Sequence, residues 1–83
     1  MSAILIVDDE PNIRRLLGSL LEAEGYSTRT AASGEDGLAA VAEDEPDVVL
    51  LDLALPGANG LQILAMLRTT HPSLPVVMMS GRA

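Results

Sequence analysis

The run Val48-Val49-Leu50-Leu51 ends at Asp52 and is bounded by Pro46-Asp47 before it and Pro56-Gly57 after it. Four successive apolar residues between turn-forming pairs fit a strand covered on both faces, as in a parallel sheet, where half-exposed alternation is lost. Asp is depleted in strands, so a carboxylate at the tip of such a run needs a reason. Ligands of open α/β sheets bind beyond the carboxyl ends of the strands, which would put Asp52 where phosphate or metal chemistry takes place. The plainer alternative is a solvated acid capping a turn, and this stretch alone leaves both open.

The rest of the chain repeats the pattern. Ala3 to Val7 is apolar and stops at Asp8-Asp9, so it reads as a first buried strand with acids at its carboxyl end. Pro11 suits a first helical position, and Ile13, Leu16, Leu17, Leu20 and Leu21 form the stripe of an amphipathic helix that Gly25 closes with a left-handed cap. Tyr26 to Ala31 is Thr-rich and polar at alternate positions, which predicts a second strand near a sheet edge. Ser33 and Asp36 make a capping-box-like start to a second helix, with Leu38 and Val41 on its apolar face. Glu43, Asp44 and Glu45 crowd its last turn against the macrodipole and predict a frayed end before Pro46. Gly57-Ala58-Asn59-Gly60 is a turn by composition, and a third helix follows with Leu61, Ile63, Leu64, Met66 and Leu67 on its buried side, ending at His71-Pro72. Val76 to Met79 is a fourth apolar strand ending at Ser80-Gly81.

Strands and helices in strict alternation imply an α/β fold with a parallel sheet and right-handed crossovers. With the strand order 2-1-3-4, the ends of strands one and three are neighbours, and Asp8, Asp9 and Asp52 meet. Three carboxylates at close range repel one another and call for a cation. A hard divalent ion such as Mg²⁺ takes oxygen ligands, accepts one or two carboxylates and shares its remaining positions with water or phosphate. Asp52 could then act as a carboxylate nucleophile toward a phosphoryl donor, with the Ser80 hydroxyl and backbone N–H groups near Gly81 donating to the phosphoryl oxygens. Singly, each of these features has a bland explanation; their recurrence at three adjoining strand ends favours a phosphate and metal site.

Composition narrows the class further. The formal net charge of -7, with twelve acids against five bases, argues against direct nucleic-acid binding by this chain. All five bases are Arg, and Lys is absent. Cysteine is absent as well, which excludes disulfides and thiolate chemistry and fits a reducing compartment. The amino-terminal residues do not form a signal peptide, and no apolar run approaches the roughly 18 residues of a membrane span, so a cytoplasmic location is expected.

Ile4-Leu5-Ile6-Val7-Asp8-Asp9-Glu10, Asp52 through Gly60 and Val76 through Gly81 together resemble the receiver domain of bacterial two-component response regulators. Pro56 four and Gly60 eight residues after Asp52 belong to that pattern. Chemotaxis receivers are a standard example of the flavodoxin-like 2-1-3-4 order, so the strand order is part of the resemblance and not an independent reading. The resemblance implies a phosphoacceptor at Asp52, loaded from a sensor histidine kinase or phosphotransfer protein. It also implies Mg²⁺ held by Asp9, Asp52 and the backbone carbonyl of Ala54, with Asp8 on a metal-bound water and Ser80 as the switch hydroxyl. Such a domain is a signalling phosphoacceptor and not an enzyme, although it assists its own phosphotransfer.

The chain departs from the pattern at its carboxyl end. The family runs to roughly 120 residues, a common domain size, with a further helix, a fifth strand carrying a Lys, and a last helix. Residues 1–83 are thus expected to form one incomplete receiver domain whose fourth strand is an edge open to self-association. The competing reading is a receiver-like interaction module that binds a kinase or another receiver without productive phosphorylation. A dehalogenase-type phosphatase would need a second Asp where Ala54 stands, and a dinucleotide-binding unit would need glycines where Asp8-Asp9-Glu10-Pro11 stands.

Overall fold

The computed structural model describes residues 2–57 and 59–79. The elements alternate as read: β1 (Ala3–Val7), α1 (Pro11–Ala23), β2 (Ser27–Ala31), α2 (Gly34–Glu43), β3 (Val48–Asp52), α3 (Gly60–Thr70) and β4 (Val76–Met79). All strand pairs are parallel and the sheet order is β2-β1-β3-β4. The register is what positions the site. Val7 pairs with both Ala31 and Leu51, and Asp52 pairs with Met79, so the carboxyl ends of the strands finish level with one another.

Side chains of a strand alternate between faces, and the two faces of this sheet are closed to different degrees. Leu5 and Val7 of β1 join Val49 and Leu51 of β3 in one core, closed by Val41 of α2, Ile63 and Leu67 of α3, and Leu74. Gly37 lets α2 approach closely: a Cβ there would lie 2.9 Å from Val7 Cγ2. The other face carries Ile4 and Ile6, both buried, against α1.

Local chemistry sets the helix ends. Pro11 opens α1, Ser33 Oγ accepts from the Asp36 N–H at the start of α2, and Asn59 with Gln62 forms a reciprocal capping box on α3. Gly25 follows α1 at φ 94°, a conformation that costs an L-residue with a Cβ.

Three expectations need correction. The apolar stripe of α1 is not a buried stripe: Leu16 and Leu20 are 55% and 56% exposed and Ile13 is 37% exposed, because among the described residues no element lies over the outer side of the helix. Likewise Leu61 and Met66 of α3 face outward, since the buried line of that helix is Gly60, Ile63 and Leu67. Of the three acids expected in the last turn of α2, only Glu43 lies within the helix, and Asp44 is its cap. Arg29 reaches across from β2 and donates to the carbonyls of Ala40 and Asp44, placing a cation at the negative end of the dipole.

The contrast between faces predicts unequal sensitivity. Leu51→Ala should cost about 2–5 kcal/mol through transfer loss and cavity formation, whereas Leu20→Ala should stay within about 1 kcal/mol. Urea denaturation of the two variants checks this, and equal losses would mean that the α1 stripe is covered in solution.

Candidate functional site

Because Val7 and Leu51 pair in register, the next residue of each strand carries its side chain to the same edge, and Asp8 meets Asp52. One carboxylate oxygen from each of Asp8, Asp9 and Asp52 lies within 4.8 Å of the others. Asp8 and Asp52 are buried, at 6% and 7% exposure, while Asp9 is open to solvent. Asp52 is therefore not the solvated turn acid of the plainer reading.

Each buried carboxylate is anchored by its own turn. The Glu10 N–H donates to Asp8 Oδ1 at 2.8 Å, and the Ala54 N–H donates to Asp52 Oδ1 at 3.0 Å. These matched Asx turns use one oxygen of each acid and leave the other for the cluster. Backbone bonds from the neighbouring strands complete the frame: the Asp8 N–H donates to the Ala31 carbonyl and the Leu53 N–H to that of Met79. Arg14 also donates to the Asp8 carbonyl, at 2.8 Å. Composition carried no sign of these braces, although an acid two residues before a chain reversal is a signal for the turns.

Gly60 is the second feature that residue counting understated. Its N–H donates to the Leu53 carbonyl at 3.2 Å, and an added Cβ would collide with the Asp52 carbonyl oxygen and lie 2.7 Å from Leu53 Cα. The start of α3 thus rests directly on the backbone that carries Asp52 and Ala54. Leu55, 5% exposed, pins the intervening loop to the core.

Burial is the main cause that pushes the Asp8 carboxyl above its ordinary range; the Glu10 N–H opposes the shift, and the charges of Asp52, Asp9 and Glu10 add to it. The structure thus brings Asp8, Asp9 and Asp52 together, and the Ala54 backbone adjoins them. Ser80, Gly81 and Arg82 lie outside the described residues. Two buried acids and one exposed acid with free oxygens suit a hard divalent cation, which would offset the repulsion that Asp8 registers.

The comparisons with known proteins agree with this geometry. The sequence profile of the family described as Response regulator receiver domain matches residues 4–83. The chain is 48% identical over 80 residues to the nitrogen assimilation regulatory protein NtrX of Azorhizobium caulinodans, covering 94% of this chain and 18% of that protein. It is 44% identical over 82 residues to the transcriptional regulatory protein KdpE of Mycobacterium tuberculosis, covering 99% of this chain and 36% of that protein. Among solved structures, response regulator TrrA of Thermotoga maritima, in complex with Mg²⁺-BeF, matches at TM-score 0.96 with 37% identity, over all of this chain and 72% of that one. The receiver domain of NtrX from Brucella abortus matches at TM-score 0.91 with 45% identity, over 96% of this chain and 68% of that one. The chain therefore spans only about a fifth to a third of these two curated relatives.

Two variants test the site. Between the ordinary carboxylate value of 3.8 and its raised folded value, Asp8 binds more protons in the folded chain than in the unfolded one, so its contribution to stability falls as pH rises through that interval. Without divalent cations, Asp8→Asn should gain about 1 kcal/mol at neutral pH, a gain that shrinks as pH falls through the raised folded value of Asp8 and is lost by about pH 4; superimposable pH–stability curves would contradict the assignment. Gly60→Ala should cost about 1–3 kcal/mol and weaken divalent-cation binding, measured by calorimetry, because the Asp52–Ala54 backbone must move aside.

Proposed function

Because the chain belongs to the response regulator receiver domain family, we propose that it is a phosphoacceptor that takes a phosphoryl group from a sensor histidine kinase or a phosphotransfer protein onto Asp52, with Mg²⁺. The convergence of Asp8, Asp9 and Asp52 on one sheet edge carries this reading. The free oxygen of Asp52 attacks phosphorus; a P–O bond forms as the P–N bond of the donor phosphohistidine breaks, and the electron pair stays on the leaving ring nitrogen. Asp9, Asp52 and the Ala54 carbonyl are the ligands we assign to the metal, with Asp8 on a bound water. Bound Mg²⁺ would supply positive charge against the carboxylates and the incoming phosphoryl oxygens. TrrA, similar over the whole of this chain, was crystallised with Mg²⁺-BeF, which supports the choice of ion.

The chain's own residues do the positioning. The Ala54 N–H holds one Asp52 oxygen and so aims the other outward, and Gly60 keeps α3 tight beneath it. Ser80 is the hydroxyl we assign to the phosphoryl oxygens. On this reading the chain is a cytoplasmic signalling component, not an enzyme with a separate substrate. Among the described residues, no helix is long and apolar enough to cross a membrane.

Incubation with acetyl phosphate and Mg²⁺ followed by intact-mass measurement tests the proposal. One added phosphoryl group is expected in the wild type and in Asp36→Asn, which alters only the start of α2. None is expected in Asp52→Asn, and at least a tenfold slower reaction in Asp9→Asn. Equal labelling of the wild type and Asp52→Asn would overturn the assignment of Asp52.

A further inference from the structure

The flank of α1 and the outer strand β2 border an open groove of about 360 Å³, a volume within the range of small-molecule sites. Arg14, Arg15, Ser19, Glu22, Thr28 and Thr30 line it, and no apolar side chain does so among the described residues. Helical spacing puts residues 15, 19 and 22 on one side of α1, and the period of two in a strand puts Thr28 and Thr30 on one face of β2. Gly18 sets the width, since a Cβ there would lie 3.8 Å from Thr28 Oγ1.

The electrostatics of the groove run against those of the chain. A protein of net charge -7 places three of its five arginines here. The Arg29 guanidinium is committed to the carbonyls at the end of α2, which leaves Arg14 and Arg15 as the cations of the groove. Arg14 donates to the Asp8 carbonyl and Arg15 donates to Asn12 Oδ1 at 3.4 Å, so each still has N–H donors to spare. Neither forms an ion pair among the described residues. Further along α1, Glu22 Oε2 accepts from the hydroxyl of Thr28 on the β2 wall at 2.6 Å, and its other oxygen remains an acceptor.

Two guanidinium groups at one end suit an oxyanion, which the planar Arg fork binds through paired charge-assisted hydrogen bonds. Toward the carboxyl end of α1 the Glu22 carboxylate and the Ser19 hydroxyl suit a ligand bearing hydroxyl groups, while the Thr30 hydroxyl lies on the β2 wall nearer the arginines. The lack of aliphatic or aromatic side chains in the lining disfavours a flat hydrophobic ligand. We propose that the groove between α1 and β2 binds a hydroxylated phosphomonoester, of the sugar phosphate or nucleoside monophosphate class. This site is separate from the carboxylate cluster and does not depend on metal.

The test is an NMR titration of the ¹⁵N-labelled chain, without divalent cations, using ribose 5-phosphate, inorganic phosphate and ribose as probes. Saturable shifts of the amides of residues 14–22 and 28–30 are expected, with ribose 5-phosphate binding at least about tenfold more tightly than either part alone. Arg15→Ala, at an exposed position that leaves the spectrum otherwise native, should weaken binding about tenfold or more, and Glu22→Gln should narrow the preference for ribose 5-phosphate over phosphate. Arg68→Ala, which removes the same charge elsewhere, should leave binding unchanged. Non-saturable shifts, equal weakening by Arg15→Ala and Arg68→Ala, or phosphate binding as tightly as ribose 5-phosphate would each overturn the proposal.

Discussion

The repulsion among Asp8, Asp9 and Asp52 is the constraint around which the strand ends are built. For the two buried acids, Asp8 and Asp52, whose oxygens lie within 4.8 Å, the repulsion between unit charges is roughly 3 kcal/mol at an effective dielectric of about 20, against the 5–15 kcal/mol by which a domain is typically stable; water screens the exposed Asp9. No hydrogen bond within the cluster relieves it. The acids stay together because the sheet register leaves them no choice: Val7 and Leu51 pair, both are almost wholly buried, and a one-residue slip would turn every side chain of the strand to the wrong face. Hydrophobic burial on the α2 and α3 side therefore holds an electrostatically unfavourable arrangement in readiness for a cation.

Much of this was legible in the sequence because strands covered on both faces have a plain signature. Ile4 to Val7 and Val48 to Leu51 are unbroken apolar runs, and each stops at an acid, so strand, register end and site residue come from one pattern. The start of α2 was legible for a similar reason, since Ser33 caps by local geometry alone, whereas Asn59, read only as part of a turn, proves to cap α3 together with Gln62. The departures lie where the outcome depends on residues distant in the chain. Whether Leu16 and Leu20 are buried depends on what lies across the sheet from them, which a helical stripe cannot say. The end of α2 looked unfavourable from its own acids, and the cation that offsets them comes from Arg29, fourteen residues before Glu43 in the sequence and on a different element.

Site legibility followed the same division. Carboxylate identity and position were readable; the means of holding them were not. The two Asx turns place the Glu10 and Ala54 N–H groups on Asp8 and Asp52, and they involve residues whose side chains take no part in the chemistry. The demand on Gly60 is likewise one of space: its spacing from Asp52 could be counted, but only the fold shows that a Cβ would meet the Asp52 and Leu53 backbone. Ala54 belongs to this group, because its N–H anchors Asp52 while its methyl group gives no sign of that contact.

The unequal faces of the sheet bear on how the site and the rest of the molecule are coupled. Asp52 is fixed from below by β3 and from the side by α3 through Gly60, all within the well-closed face. Asp8 is tied in addition to α1, because Arg14 holds its carbonyl while lining the groove beside β2. The helix that carries Arg14 is the one with Ile13, Leu16 and Leu20 exposed on its outer side, while its inner side packs on β1 and β2. The two halves of the carboxylate cluster are therefore held differently: Asp52 rests on elements of the closed core, and Asp8 is tied in addition to a helix whose outer apolar side is open.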